Sequence, residues 1–330
     1  MKFAVQIHIG PETRRFEAAG DTSLLDQAVG AGVPAHFSCK RGDCGQCIGT
    51  LLKGETAALI ATQPSRVQAD VYLCNATACS DIEIRLPYFP ELADVPSIRS
   101  PAKIHELKRL SDDIVEVALR LPPTANFRFL PGQFIRLTNK SRVTRSYSLA
   151  AAADASKLLR IQVRKVDDGL FSAYLFDQAK SGDLLQLEGP QGHFFVRSAH
   201  QSAKTIFLAT GTGIAPVHAI LSSLTRESRE ALGAIDVYWG NRHGADEYLG
   251  ERLRAMAADI GFRYWPLHSR ELPEHGIRHV QDLMASHHPS LHDAAIFACG
   301  SAAMIDAARR KAVELGLPLD QFHSDPFTSS

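Results

Sequence analysis

The chain has 330 residues, 45% of them hydrophobic, with 36 basic and 36 acidic side chains. At roughly 100–200 residues per domain, this length predicts two or three domains. The ordinary apolar and charged fractions exclude a disordered or fibrous chain, no run reaches the ~18 apolar residues of a membrane span, and zero net charge argues against nucleic acid as a partner.

The start, Met1-Lys2-Phe3-Ala4-Val5-Gln6-Ile7, alternates like a strand and lacks a signal peptide's apolar stretch. A soluble, cytoplasmic protein with no membrane association is expected. Residues 1–92 read as a small β-rich unit. Strands are predicted at 3–9 and 14–17, then a helix at 24–29 capped by Asp21, Thr22 or Ser23 and stopped by Gly30 and Gly32. A strand over 82–86 closes the unit.

Five of the six cysteines fall between Cys39 and Cys79. Clustered thiols without a secretory signal point to metal or redox chemistry rather than disulfides. The run Cys39-x4-Cys44-x2-Cys47, followed after 26 residues by Cys74, is the plant-type [2Fe–2S] spacing. Gly42 and Gly45 let the backbone wrap a cluster closely, and Lys40 and Arg41 add positive charge beside it. The rival is structural zinc, for which Cys74-x4-Cys79 could supply a second knuckle. Spacing leaves open which of Cys74 and Cys79 is the fourth ligand. A spare Cys79 is expected to be a small buried residue.

Residues 93–100 belong to a proline-rich linker. From 101 to 198 short strands are predicted at 114–121, 133–138, 158–166 and 184–187, with a helix near 170–176, which suggests an antiparallel barrel. This stretch holds 15 basic and 10 acidic residues, suiting an anionic cofactor. Within it, Arg145-Ser146-Tyr147-Ser148 offers a guanidinium for a diphosphate, a flat ring for a ring system and a hydroxyl for a ring nitrogen. Gly169, leading into a helix with Ser172 in its first turn, adds a helix N-terminus suited to an anion. Together they describe a cradle for a flavin diphosphate.

Residues 199–330 alternate strands at 205–209, 234–239 and 294–298 with helices at 216–224, 246–258 and 302–315. This rhythm implies a doubly wound parallel sheet. Gly211-Thr212-Gly213, with Pro216 opening the helix, is a turn that lets backbone approach a pyrophosphate. Cys299 and Gly300 end another strand, where strand C-termini line a ligand crevice; Cys299 is there either to face a nicotinamide or, as a lone strand-end cysteine, to be a small buried residue. Eight of the fourteen histidines lie beyond residue 240, including His287, His288 and His292; a solvated loop is expected there rather than a metal site.

Taken in order, these motifs resemble the ferredoxin-NAD(P)H reductase-type flavoprotein reductases with an N-terminal [2Fe–2S] domain. That family includes the reductase components of bacterial aromatic-ring oxygenases and multicomponent hydroxylases. Tyr88-Phe89-Pro90-Glu91-Leu92, Glu188-Gly189-Pro190-Gln191-Gly192, Tyr238-Trp239-Gly240 and Ser324-Asp325-Pro326-Phe327 are similar to the CDP-6-deoxy-4-hexulose-3-dehydrase reductases. Those enzymes serve a pyridoxamine-phosphate dehydrase of 3,6-dideoxysugar synthesis.

The resemblance implies a multidomain α+β and α/β fold: a β-grasp [2Fe–2S] ferredoxin domain, an antiparallel β-barrel FAD domain and a doubly wound NAD domain. It assigns Cys39, Cys44, Cys47 and Cys74 as cluster ligands, the fourth because it precedes Ser80-Asp81. It places Arg145 at the FAD diphosphate with Gly169 and Ser172, Tyr147 against the flavin, Ser148 at the flavin N5 side and Phe327 over the flavin. Thr210 departs from the commoner Ala-Gly-Gly-Thr-Gly form. The stretch 241–246 shows no basic cluster for a 2′-phosphate, so NADH is expected over NADPH. The implied protein is a monomeric oxidoreductase carrying electrons from NADH through FAD and the cluster to a sugar dehydrase or an oxygenase component. A non-catalytic zinc- and nucleotide-binding module is the alternative of a different class.

Overall fold

The computed structural model describes residues 2–35, 37, 40, 47–59, 70–271 and 276–327. The chain divides into two compact units, Met1–Asp94 with Gln191–His193, and Val95–Pro190 with Phe194–Ser330.

In the first unit, β1 (Lys2–Ile9) and β2 (Glu12–Ala19) form a hairpin, and α1 (Leu24–Gly30) follows. Ser23 caps the helix: its Oγ accepts from the Asp26 N–H at 3.1 Å, as a short polar side chain at this position should. Then come β3 (Ile48–Lys53), β4 (Thr56–Ala58), β5 (Asp70–Tyr72), β6 (Ala76–Ala78) and β7 (Ile82–Leu86). The main sheet runs β2-β1-β7-β3-β5, with β1 parallel to β7 and the other pairs antiparallel. Val5, Ile7 and Ile9 alternate inward from β1 to meet Leu24, Leu25 and Ala28 of α1, a mixed sheet grasping one helix.

The second unit opens with β8 (Ile98–Ser111), β9 (Ile114–Arg120), β10 (Phe134–Thr138), β11 (Thr144–Ser148), β12 (Leu158–Arg164), α2 (Leu170–Asp177) and β13 (Leu184–Gln191). The sheet order is β11-β10-β13-β8-β9-β12. Its two edges meet where Leu149, just past β11, bridges Ile161 of β12, and this closes a barrel around Ile104, Val117, Ile135 and Leu187. β8 begins at Ile98, inside the stretch that its prolines mark as linker. Pro101 is tolerated because it pairs only with β13; pairing with β9 starts at Lys103.

The remaining elements are β14 (Lys204–Thr210), α3 (Ile214–Ser222), α4 (Arg226–Ala231), β15 (Ala234–Asn241), α5 (Gly250–Ile260), β16 (Arg263–His268), α6 (Val280–His287), β17 (Ala294–Ser301), α7 (Ala302–Glu314) and β18 (Phe322–Phe327). All pairs in the sheet β16-β15-β14-β17-β18 are parallel. Phe207 and Ala209 of β14 face a core with α3 and α5, while Ile206 and Leu208 face one with α6 and α7. Burial on both faces explains the near-continuous apolar runs of β14 and β17.

Two expectations are corrected. Cys79 is exposed, because β6 ends at Ala78 and Cys79 follows in a turn with its N–H on Glu55 O. His287 and His288 lie at the end of α6, not on a solvated loop. His287 Nδ1 lies 3.0 Å from the Tyr238 hydroxyl, and His288 Nε2 lies 3.4 Å from the buried carboxylate of Asp236. Asp236 also accepts from Arg263 and from Trp265 Nε1 at 2.8 Å. Burial pushes this carboxyl upward, and the adjacent His288 together with the hydrogen bonds from Arg263 and Trp265 outweighs it, holding the group at about 2.

Candidate functional site

In the first unit, Cys47 precedes β3 and Cys74 follows β5, and both are buried. The pairing of Ile48 with Tyr72 brings them together, and the Leu73 N–H donates to Cys47 O at 3.0 Å. Two buried sulfurs on adjoining backbone are a soft donor set that fits iron. Cys39 and Cys44 lie outside the described residues. Lys40 pairs with Asp26 at 2.7 Å, and this contact with the hydroxyl of Ser23 lowers the Asp26 carboxyl.

In the second unit, β11 pairs with β10 so that Tyr147 stands opposite Ile135 and Ser148 opposite Phe134. Ser148, at the end of β11, is buried and Ser146 is exposed. The Tyr147 ring packs on Phe171 of α2 at 5.6 Å between centroids. The Arg145 guanidinium is half-buried and donates to the neighbouring Thr144 carbonyl at 2.8 Å. Gly169 stands at the start of α2 with no side-chain cap. The hydroxyl of Ser172 is taken up by the turn before the helix, accepting from Val166 N–H at 3.1 Å and donating to Gly169 O at 2.9 Å. A guanidinium, an aromatic ring and helix N–H groups suit an anionic ring-bearing cofactor.

The glycine turn Gly211–Gly213 leaves the C-terminal end of β14. A Cβ on Gly213 would stand 2.3 Å from Cys299 O, so only glycine lets α3 start this close to β17. Gly300 has φ +137°, and a Cβ there would collide with Thr210 Oγ1. Thr210 therefore has a local function: its hydroxyl accepts from Ser301 N–H at 3.2 Å, joining the ends of β14 and β17. The fully buried Trp239 donates from Nε1 to Gly211 O at 2.8 Å and holds the turn from beneath. Pro216 is buried in the first turn of α3.

Between the ends of β14, β15 and β17 lies a cavity of about 700 Å³ whose wall includes Gly211, Thr212, Asn241, Ser301 and Phe327. Strand C-termini at the point where the order reverses are where such sheets bind ligands. Arg164 reaches it from the barrel, where it pairs with Asp113 at 2.7 Å and lies beside Gly211. A bare glycine turn, a cation and a buried unpartnered amide, Asn241, fit a dinucleotide.

The flavin-type strand and the nucleotide-type strand meet at one carboxylate. Asp325 of β18 is Cys299's register partner, and its Oδ2 lies 3.3 Å from Ser148 Oγ and 4.0 Å from Cys299 Sγ. Burial raises the Asp325 carboxyl to about 7 despite the hydrogen bond from Ser148, which lowers it. Burial, with Asp325 nearby, also pushes the Cys299 thiol well up. The group can hold or release a proton at neutral pH next to Ser148. Sequence reasoning gave no role to Asp325, Arg164, Trp239 or Asn241. An acid becomes a candidate only once its burial is known, and nothing in one sequence shows that.

Residues 7–80 match the 2Fe-2S iron-sulfur cluster binding domain, residues 101–196 the oxidoreductase FAD-binding domain and residues 207–310 the oxidoreductase NAD-binding domain. The chain is 33% identical to the CDP-6-deoxy-L-threo-D-glycero-4-hexulose-3-dehydrase reductase of Yersinia pestis, over 100% of both chains. It is 32% identical to reductase component 2 of the terephthalate 1,2-dioxygenase of a Comamonas species, over 98% of this chain and 97% of the other. The crystal structure of the Amycolatopsis cytochrome P450 reductase GcoB superposes with a TM-score of 0.74 at 28% identity, over 99% of each chain. Among the described residues, no helix is long and apolar enough to cross a membrane.

Proposed function

Because the chain belongs to the iron–sulfur flavoprotein reductases of the ferredoxin-NAD(P)H reductase type, we propose that it supplies electrons to a CDP-6-deoxyhexulose dehydrase. The chain is an NAD(P)H-dependent oxidoreductase with FAD-binding, NAD-binding and [2Fe–2S] domains, which sets aside a zinc-binding module. When bound, the nicotinamide supplies a hydride, the flavin parts its two electrons and the cluster passes them on one at a time.

In this reading Cys39, Cys44, Cys47 and Cys74 hold the cluster. Arg145, with the start of α2 at Gly169 and Ser172, holds the FAD diphosphate. Ser146 and Tyr147 line the flavin, Ser148 faces its N5 side and Phe327 covers the ring. Gly211, Thr212, Gly213 and Pro216 shape the dinucleotide turn, with Cys299 and Gly300 at the nicotinamide. NADH is the donor in preference to NADPH, and the protein acts as a cytoplasmic monomer. One observation carries the placement: Ser148 of the barrel and Cys299 of the parallel sheet converge on Asp325.

The acceptor rests on the full-length likeness to the Yersinia reductase. The likeness to the Comamonas dioxygenase component, nearly as high and nearly as long, supports an oxygenase as the second reading. Reconstitution with each kind of partner tests the two. NADH oxidation coupled to dehydrase turnover supports the first, and coupling only to oxygenase turnover replaces it with the second.

A further inference from the structure

Two buried side chains outside the crevice tie the glycine turn Gly211–Gly213 to the barrel. α3 continues directly from the turn, and every side chain from Ile214 to Leu221 is buried, so turn and helix move together as a strut. His218, five residues beyond Gly213, is buried, and its Nδ1 lies 2.8 Å from Ala150 O. A carbonyl only accepts, so Nδ1 carries the proton. Burial holds the ring below the usual histidine range and keeps it neutral, and Nε2 has no partner among the described residues. An apolar side chain would fill this position without orphaning a nitrogen, so stability alone does not account for a histidine here. Ala150 stands two residues past Ser148, and its own N–H donates to Arg160 O of β12 at 2.8 Å.

The second attachment ends on the same strand. Tyr248, just before α5, donates from its hydroxyl to Gln162 Oε1 of β12 at 2.8 Å. Its ring stands edge-on to Trp239 with centroids 5.3 Å apart, and Trp239 is the residue that holds Gly211 O. Neither His218 nor Tyr248 is among the residues that wall the crevice, so their effect on a ligand there passes through the turn.

We propose that His218 and Tyr248 are positioning residues for hydride transfer: they fix the dinucleotide turn against the flavin strand, and so set the rate of transfer rather than the affinity for coenzyme. The inference rests on the flavin lying at Ser148 and the dinucleotide at Gly211. The balance of the step is unchanged: the nicotinamide gives up a hydride, a proton with two electrons, and is oxidised as the flavin is reduced. Such a transfer depends steeply on approach, and a misplacement of about 1 Å can cost about a hundredfold in rate. Affinity comes from the surface of the turn itself, which its glycines and Trp239 preserve.

The test is stopped-flow flavin reduction by NADH in the holoenzyme, read as a limiting rate and a half-saturating NADH concentration, with melting temperature measured alongside. His218→Leu and Tyr248→Phe should each lower the limiting rate about tenfold or more and move the half-saturating concentration less than about threefold. His218→Asn, whose amide carries an N–H at the same bond distance from Cβ as Nδ1, should recover most of the rate. His218→Gln, whose N–H falls in the place of Nε2, should not. Amide hydrogen exchange in the turn, read without coenzyme, should quicken in His218→Leu and return to the wild-type rate in His218→Asn. If His218→Leu folds poorly its melting temperature shows it, and Tyr248→Phe, which loses one oxygen, carries the test. Limiting rates equal to wild type, a loss that falls on the half-saturating concentration instead, or a His218→Asn protein as slow as His218→Leu overturns the proposal. If NADH does not reduce the wild-type flavin, the reading of the site falls; if it does and the variants keep pace, only the positioning falls.

Discussion

Ser148 donates a 3.3 Å hydrogen bond to Asp325 across 177 positions of sequence, tying a barrel strand to the last strand of the parallel sheet. The bond is buried, and its acceptor is a carboxyl raised to about 7. Below that pH Asp325 can donate a proton toward Ser148; above it the site carries an uncompensated negative charge. The single-turnover rate of NADH oxidation should fall as pH rises through about 7. In Asp325→Asn that inflection should vanish. Stopped-flow profiles from pH 5.5 to 9 check this, and an inflection of the same size in both proteins would remove Asp325 from the proton path.

The same carboxyl makes stability depend on pH. Its folded pKa lies above its unfolded value of 3.8, so the charged form is disfavoured in the folded state. The stability it contributes is full below about pH 4 and is lost as pH climbs toward 7. Asp325→Asn, which cannot ionise, should therefore gain on wild type across that window, by on the order of 4 kcal/mol in total if the shift is fully expressed. Urea denaturation at pH 4, 5.5 and 8 measures the gap. A gap that is constant with pH would show that Asp325 is not desolvated in solution.

At the far end of β15 the sign reverses. Asp236 is held down at about 2 by His288, Arg263 and Trp265 against the cost of burial. Its contribution is present above about pH 4 and is lost as pH falls toward 2, an amount of about 2 kcal/mol. Asp236→Asn should lower stability at pH 7 and flatten the acid limb of the wild-type curve between pH 4 and 2. Chemical denaturation across that range reads both effects.

The close approach at Gly213 has a direct consequence for nucleotide binding. A methyl group there would stand 2.3 Å from Cys299 O, so Gly213→Ala must push the start of α3 away from β17. Overpacking of this kind costs about 1–3 kcal/mol. It also disturbs the turn whose Gly211 and Thr212 line the crevice. We expect a lower melting temperature and at least about a tenfold loss in kcat/KM for NADH, since a misplaced binding turn loses more than its own contacts. Gly30→Ala, where nothing lies within 4 Å of the added methyl, should leave activity unchanged.

The architecture was legible where periodicity and punctuation agreed. β14 and β17 read as buried parallel strands because both faces are covered, and Gly211 to Pro216 marked the turn between a strand and a helix. Prolines hid three strands. Pro101 sits where β8 pairs on one side, Pro266 lies in the edge strand β16, and Pro326 lies in β18 at the opposite edge. A ring that removes a donor is harmless in such positions. Residue type alone does not say which strand will be an edge. Of the site, the motifs that approach phosphates were visible, because glycine and arginine are chosen for reasons local to the chain. Asp325 and Asn241 were not, since their significance comes from burial produced by elements far away in sequence.

The fourth cluster ligand can now be tested against its neighbour. Cys74 is buried and shares an adjoining backbone with Cys47 through the Leu73 N–H. Cys79 is exposed, with its own N–H committed to Glu55 O across the β4–β6 pair. Four thiolates must surround one cluster, and an exposed thiol beyond the end of β6 is the poorer candidate. Cys74→Ala should therefore lose the visible absorption of the [2Fe–2S] centre and the iron that accompanies it. Cytochrome c reduction, which draws single electrons from the cluster, should be abolished, while ferricyanide reduction directly from the flavin survives. Cys79→Ala should keep the absorption, the iron and both activities. If Cys79→Ala loses the iron and Cys74→Ala keeps it, the ligand assignment must be exchanged. Equal loss of both activities in Cys74→Ala, with FAD still bound, would contradict an electron path in which the cluster follows the flavin.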